Sequence, residues 1–177
     1  MIAGRFGGRR LTAPAGRATR PTSDRVREAL FSTLGDVEDA RVLDLFAGSG
    51  ALGIEALSRG AARATFVDSA PAAVRAVRTN VEALGLSDAA EVRRQDARAF
   101  LRTAQKAHHE YDLVFLDPPY RLAAGLGSDL SPMLIVVLAP GARVVWESDR
   151  RDAPALDLPT IQERRYGDTL IRIHVTE

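Results

Sequence analysis

Residues 42–60, VLDLFAGSGALGIEALSRG, decide how this chain is read. An apolar run with a single acid, Asp44, leads into Gly48-Ser49-Gly50-Ala51-Leu52-Gly53, which spells G-x-G-x-x-G, and Gly60 closes the stretch. A buried strand, a glycine turn and a helix give this pattern. Gly48 and Gly50 permit a tight turn whose backbone can approach a ligand, and Gly53 lets the helix pack closely on a sheet. An acid follows at Asp68, 20 residues past Gly48, where a carboxylate can accept hydrogen bonds from a ribose diol.

The same alternation continues outward. Strand RVLDLF and a helix over 50–59 come first; strand ATFVD then precedes helix PAAVRAVRTNVEAL, closed by Gly85. Strand AEVRRQD, a helix over 97–106, strand DLVFLD, a helix over 129–138 and strand ARVVWE follow. Two close strands at the end, TIQERRY and TLIRIHV, flank Gly167-Asp168 and read as a hairpin. Alternating strands and helices predict a mostly parallel, seven-stranded sheet covered on both faces, with one strand of the terminal hairpin antiparallel. Upstream, IAGRFGGRRLTAP alternates around Gly7-Gly8 and predicts a small amino-terminal β-hairpin. A helix then runs from Ser23 or Asp24 to Leu34, with Val26, Ala29, Leu30, Thr33 and Leu34 on one face.

Composition sets bounds. The 177 residues suffice for one domain with a real core, and no cysteine is present for disulfides or thiolate metal sites. No apolar run reaches membrane-spanning length, and the amino end lacks a signal-peptide core, so a cytoplasmic protein is expected. Net charge is only +1, but its distribution is uneven. Arg5, Arg9, Arg10, Arg17 and Arg20 fall within the first 23 residues without one acid, leaving 19 basic and 23 acidic side chains in the other 154. A basic arm on a mildly acidic body suits a polyanion such as RNA. The single lysine, Lys106, also shows that arginine is the default cation here.

Two features sort the ligands that the glycine loop admits. NAD and S-adenosylmethionine both carry an adenosine ribose. Asp44, however, lies in the strand four residues before Gly48, where a carboxylate repels a pyrophosphate and pairs with an amino-acid ammonium. The second feature is Asp117-Pro118-Pro119-Tyr120, set directly after an apolar strand. Two prolines stiffen the turn and remove two backbone donors. The Asp117 carboxylate and Pro118 carbonyl could accept from one amino group while Tyr120 stacks on a planar base. Asp44, Asp68, Asp96 and Asp117 all fall at or just past strand ends, the pole where open α/β sheets bind ligands.

DPPY together with LDLFAGSGALGIEALSRGA resembles the amino-methyltransferases that use S-adenosylmethionine. AGRFGGRRL and RPTSDRVREALFSTL narrow the resemblance to the RsmD family, which methylates N2 of one guanine in small-subunit (16S) ribosomal RNA. It covers Ile2 to about Val175, and RPTSDRVREALF is more specific than DPPY, which adenine-N6 enzymes share. It implies an α/β, Rossmann-like methyltransferase fold, with residues 1–22 as a basic RNA-binding arm and 23–177 as the catalytic domain. It further implies that Asp44 and the loop Phe46, Ala47, Gly48, Ser49 and Gly50 contact the methionine part of the cofactor. Gly53 packs the helix, Asp68 binds the ribose, and Asp96 with the Ala97 backbone reads the adenine amine. Asp117 to Tyr120 would hold the guanine. The expected partner is 16S rRNA or an assembling small subunit, met by a monomer with neither metal nor membrane.

Two departures stand out. The chain opens on MIAG, shorter than many relatives, and Ala70 stands where the family often has a second acid after Asp68, leaving the ribose to Asp68 alone. His108 and His109 lack a third ligand type nearby, and Trp146 and Glu147 read as packing and structural residues. The competing readings are an adenine-N6 methyltransferase acting on DNA or RNA, an NAD-binding oxidoreductase, and a non-catalytic RNA-binding protein. The first lacks an insertion for DNA target recognition, the second a proton donor beside a nicotinamide. The third would have lost Gly48, Gly50, Asp68 or Asp117, and all four are present.

Overall fold

The computed structural model describes residues 3–14, 24–119, 125–150 and 156–176. In chain order the elements are α1 (Asp24–Leu34), β1 (Arg41–Asp44), α2 (Ala51–Ser58), β2 (Arg63–Asp68), α3 (Pro71–Ala83), β3 (Ala90–Arg94) and α4 (Ala97–Lys106). Then come β4 (Tyr111–Leu116), α5 (Leu126–Ile135), β5 (Leu138–Asp149), β6 (Thr160–Tyr166) and β7 (Thr169–Val175). The seven strands form one sheet in the order β3-β2-β1-β4-β5-β7-β6. β1 to β5 run parallel, and β7 enters antiparallel between β5 and β6. That insertion departs from the 3-2-1-4-5-6 order of dinucleotide-binding sheets.

Two cores cover the two faces. One joins α1, α2 and α3 to Val42, Phe66, Leu113, Phe115 and Val145. The other joins α4 and α5 to Leu43, Val67, Val114, Leu116 and Trp146. Central strands therefore bury both sets of alternating side chains, which is why they read as continuous apolar runs.

Three expectations need correction in detail. Helix α1 buries Leu30, Phe31 and Leu34 together with Arg27, so its inward face is rotated from the one read off the sequence. Buried Arg27 pairs with Asp24 one turn earlier. The carboxyl end of α1 is capped from the sheet: the Arg143 guanidinium donates to the carbonyls of Leu34 and Asp36. Helix α5 spans 126–135 instead of 129–138, starting after Gly125 at φ 74°.

The third correction concerns the amino terminus. No strand forms among residues 3–14; a 3-10 turn over Gly4–Phe6 stands where a hairpin is expected. The backbone groups that a hairpin would pair are taken by buried side chains of the body. Ala3 N–H donates to Glu55 Oε1 at 3.0 Å and Phe6 N–H to Ser58 Oγ at 3.0 Å. Ser58 Oγ donates back to the Ala3 carbonyl at 2.7 Å. Asn80 binds both backbone groups of Thr12, accepting at 2.7 Å and donating at 3.0 Å. Gly4, at φ 75°, lies so close to α2 that a Cβ would stand 1.8 Å from the Ser58 carbonyl oxygen. The arm is a segment laid on helices α2 and α3.

Candidate active site

Strand register decides where the acids stand. Asp44 pairs with Phe66 on one side and Phe115 on the other. Asp68 and Asp117 therefore lie two residues beyond it, about 7 Å further along the strands. Leu116 pairs with Trp146, which sets Asp117 beside Glu147. Alternate residues share a face, so Asp44, Asp68, Asp117 and Glu147 extend the rows of Val42, Phe66, Phe115 and Val145, all in the core under α1 to α3. Four acids thus gather on one face at the carboxyl pole. The chain order reverses between β1 and β4, so Asp44 and Asp117 flank the switch point at which such sheets hold ligands.

The glycine loop closes over this group. Gly48 and Gly50 take φ values of 57° and 79°, turning the chain from β1 into α2. A Cβ on Gly53 would lie 2.4 Å from the Phe66 ring, so only glycine lets α2 settle on the sheet. The acids fasten the loop: Asp44 Oδ2 accepts the Gly53 N–H at 3.1 Å, an orphan donor of the first helical turn. Asp68 Oδ2 accepts from Gly48 at 3.0 Å, while its Oδ1 accepts from Ala70 at 2.8 Å. The Asn80 amide donates to the Ser49 carbonyl at 2.9 Å. The backbone of Ala70 thereby orients Asp68, although its side chain adds no second acid.

Burial governs the charges. Asp44 is 2% exposed; desolvation, offset in part by the Gly53 bond and reinforced by Asp68, pushes its carboxyl up to about 7. Burial, then the charges of Glu147 and Asp44, hold Asp117 well above the usual carboxylate range. A pyrophosphate brought to this pole would meet four carboxyl groups, whereas a sulfonium or ammonium would find counter-charges. Asp96 caps α4, accepting from Arg98 and Ala99 through Oδ1 at 3.0 and 3.2 Å. Both of these capping bonds fall on Oδ1 rather than Oδ2. Ala97 and Ala47 are buried beside these turns, and Phe46 packs against the α4–α5 core.

The structure brings Asp44, Asp68, Asp117, Pro118, Pro119 and the loop 46–50 together at one pole, with Asp96 at the next turn. Tyr120, Arg17 and Arg20 lie outside the described residues. Arg5, Arg9 and Arg10 are exposed on the docked arm. Glu147 is a participant that the sequence presents as structural alone; its 8% exposure and its influence on Asp117 make it part of the site. Asn80 carries no signal in the sequence that would single it out. Among the described residues no three His, Cys, Asp or Glu side chains are placed so that they could hold a metal ion, and no helix there is long and apolar enough to cross a membrane.

A family model described as Conserved hypothetical protein 95 matches residues 1–175. The Ribosomal RNA small subunit methyltransferase D of Escherichia coli is 46% identical over 122 residues, covering 68% of this chain and 60% of that protein. The chain belongs to the RsmD family. A Bacillus subtilis relative named as a putative rRNA methyltransferase, YlbH, is 48% identical over 183 aligned positions, covering 98% of this chain and 97% of its own. Among solved structures, the putative methyltransferase yhhF of Escherichia coli superposes with a TM-score of 0.85 at 37% identity, over 100% of this chain and 97% of that one. The RsmD-family assignment covers both the glycine loop and the Asp117-Pro118-Pro119 turn. It also takes in the docked arm, whose local pattern points to a hairpin that does not form.

Proposed function

We propose that this protein transfers a methyl group from S-adenosylmethionine to the exocyclic N2 of a guanine in small-subunit ribosomal RNA. One observation carries the reading: the rigid Asp117-Pro118-Pro119 turn stands across the switch point from a glycine loop built over buried acids. The names of the RsmD-family relatives support ribosomal RNA as the substrate. The cofactor supplies a methyl group on an electrophilic sulfonium. Asp68 would hold its ribose, Asp96 and the Ala97 backbone its adenine, and Asp44 with loop residues 46–50 its methionine end.

The guanine amine is a poor nucleophile because its lone pair is shared with the ring. Hydrogen bonds from its N–H groups to Asp117 and to the Pro118 carbonyl would localise that lone pair and strengthen as the nitrogen becomes positive. A carboxyl held above its usual range also receives the proton released afterwards more readily. Positioning of both reactants supplies the remainder, and the base must leave its stack to reach the turn. The direct test is methylation of small-subunit RNA lacking the modification, followed by nucleoside analysis. N2-methylguanine is the expected product; N6-methyladenine would replace this reading.

Two further outcomes follow from individual residues. Asp68→Ala should weaken S-adenosylhomocysteine binding by about 1–3 kcal/mol, the loss of charge-assisted hydrogen bonds to loop and ribose. Calorimetry showing wild-type affinity would remove Asp68 from the cofactor site. For RNA, replacing Arg5, Arg9 and Arg10 with Gln should lower affinity and flatten the slope of log affinity against log salt, by about 0.7–0.9 for each phosphate that is no longer neutralised. Substitution is preferable to truncation, since removing the arm would strip Glu55, Ser58 and Asn80 of partners. An unchanged slope would place the RNA surface elsewhere.

A further inference from the structure

Asn80 sits in the last turn of α3 with 3% of its surface exposed, and its carboxamide is fully committed. Oδ1 accepts the Thr12 N–H at 2.7 Å; Nδ2 donates to the Thr12 carbonyl at 3.0 Å and to the Ser49 carbonyl at 2.9 Å. Thr12 belongs to the arm, whereas Ser49 is the central residue of the turn between Gly48 and Gly50. One buried side chain therefore joins the arm to the cofactor loop. A flipped amide would oppose donor to donor at Thr12 and acceptor to acceptor at Ser49, so the three bonds fix one orientation.

The loop is gripped from two sides. Asp68 holds the Gly48 N–H from β2, and Asn80 holds the Ser49 carbonyl from α3. The two peptides held, Ala47–Gly48 and Ser49–Gly50, flank the central peptide of a turn that needs positive φ at Gly48 and Gly50. Releasing Thr12 leaves the Asn80 amide with one bond where it had three. It can then rotate towards solvent, and the Ser49 peptide loses its orienting donor. Three other bonds that anchor the arm run to Glu55 and Ser58 and do not touch the turn.

We propose that Asn80 is a positioning residue that couples docking of the arm to the shape of the cofactor loop, so that arm engagement and cofactor binding favour each other. The proposal rests on the methyltransferase reading above. Because such coupling is reciprocal, RNA that steadies the arm would tighten the cofactor, and the cofactor would tighten RNA by the same factor.

The test uses the full chain, calorimetry with S-adenosylhomocysteine, and three variants. Thr12→Pro removes one arm N–H and leaves α3 unaltered; Asn80→Asp keeps the acceptor and loses both donated bonds. The third variant combines them. Each single variant should weaken S-adenosylhomocysteine about five- to tenfold, within the usual range of coupling between sites. The double variant should be no weaker than Asn80→Asp alone, because both changes break one linkage. Thermal melting confirms that each variant is folded at the temperature of the titration. Wild-type affinity in Thr12→Pro, or additive losses in the double variant, would overturn the coupling; if Asn80→Asp does not fold, Thr12→Pro alone decides. Failure of the wild-type protein to bind S-adenosylhomocysteine would instead strike the methyltransferase reading itself.

Discussion

Asp117→Ala is expected to lower turnover by about 100- to 1000-fold or more, the usual cost of removing one preorganised group from a developing charge. Affinity for S-adenosylhomocysteine should stay within a few-fold, because the carboxylate is assigned to the substrate amine. The pH profile gives a sharper check. Burial, Glu147 and Asp44 all disfavour the ionised carboxylate, so the accepting form of Asp117 appears only above the usual carboxylate range. Activity should therefore rise with pH through that raised value and then level off. Asp117→Asn, which keeps an acceptor but cannot ionise, should retain weak activity without the rise. Wild-type turnover in Asp117→Ala, or the same pH rise in Asp117→Asn, would exclude the mechanism.

A second large effect concerns stability. The folded protein holds a proton on Asp44 up to about pH 7, whereas an unfolded chain gives it up near 3.8. Between those values the folded state binds more protons, so stability falls as pH rises. At about 1.4 kcal/mol per unit the full cost is about 4 kcal/mol, of which roughly 3 kcal/mol should be lost between pH 5 and 8. Asp117 acts in the same direction. Asp44→Asn keeps an acceptor for the Gly53 N–H and cannot ionise, so its urea-unfolding free energy should fall less over that interval than the wild type's. Parallel curves for the two proteins would show that Asp44 does not carry this proton.

Much of the fold and of the site is legible in the sequence because local pattern and global fold agree. Val42 and Leu43, like Leu113 to Leu116, are apolar on both faces of a covered sheet, and the acids that end the strands interrupt those runs visibly. The glycine turn announces itself through Gly48, Gly50 and Gly53. What stays hidden depends on partners distant in sequence. Glu147 reads like any strand-end acid until the Leu116–Trp146 register sets it beside Asp117. The arm's alternation suggests a hairpin because nothing within residues 1–14 shows that Glu55, Ser58 and Asn80 will satisfy its backbone. Arg27 looks like a solvent-facing residue of α1, yet it is buried while paired with Asp24 one turn earlier. Helix α5 reads three residues late because Gly125 and Gly127 argue locally against a helix.

The manner in which the arm is held has a consequence for how such a protein can change. Glu55, Ser58 and Asn80 read main-chain N–H and carbonyl groups of Ala3, Phe6 and Thr12, which any residue type but proline offers. Side-chain requirements fall chiefly on Gly4, which has no room for a Cβ, and on Phe6 and Leu11, which pack against the core. Arg5, Arg9 and Arg10 are exposed. Attachment and the proposed RNA recognition would thus be written in different atoms of the same dozen residues. On the proposed reading of the arm as an RNA-binding segment, mutation can vary its exposed positions without renegotiating how the segment is fastened, and the acids at the carboxyl pole stay intact.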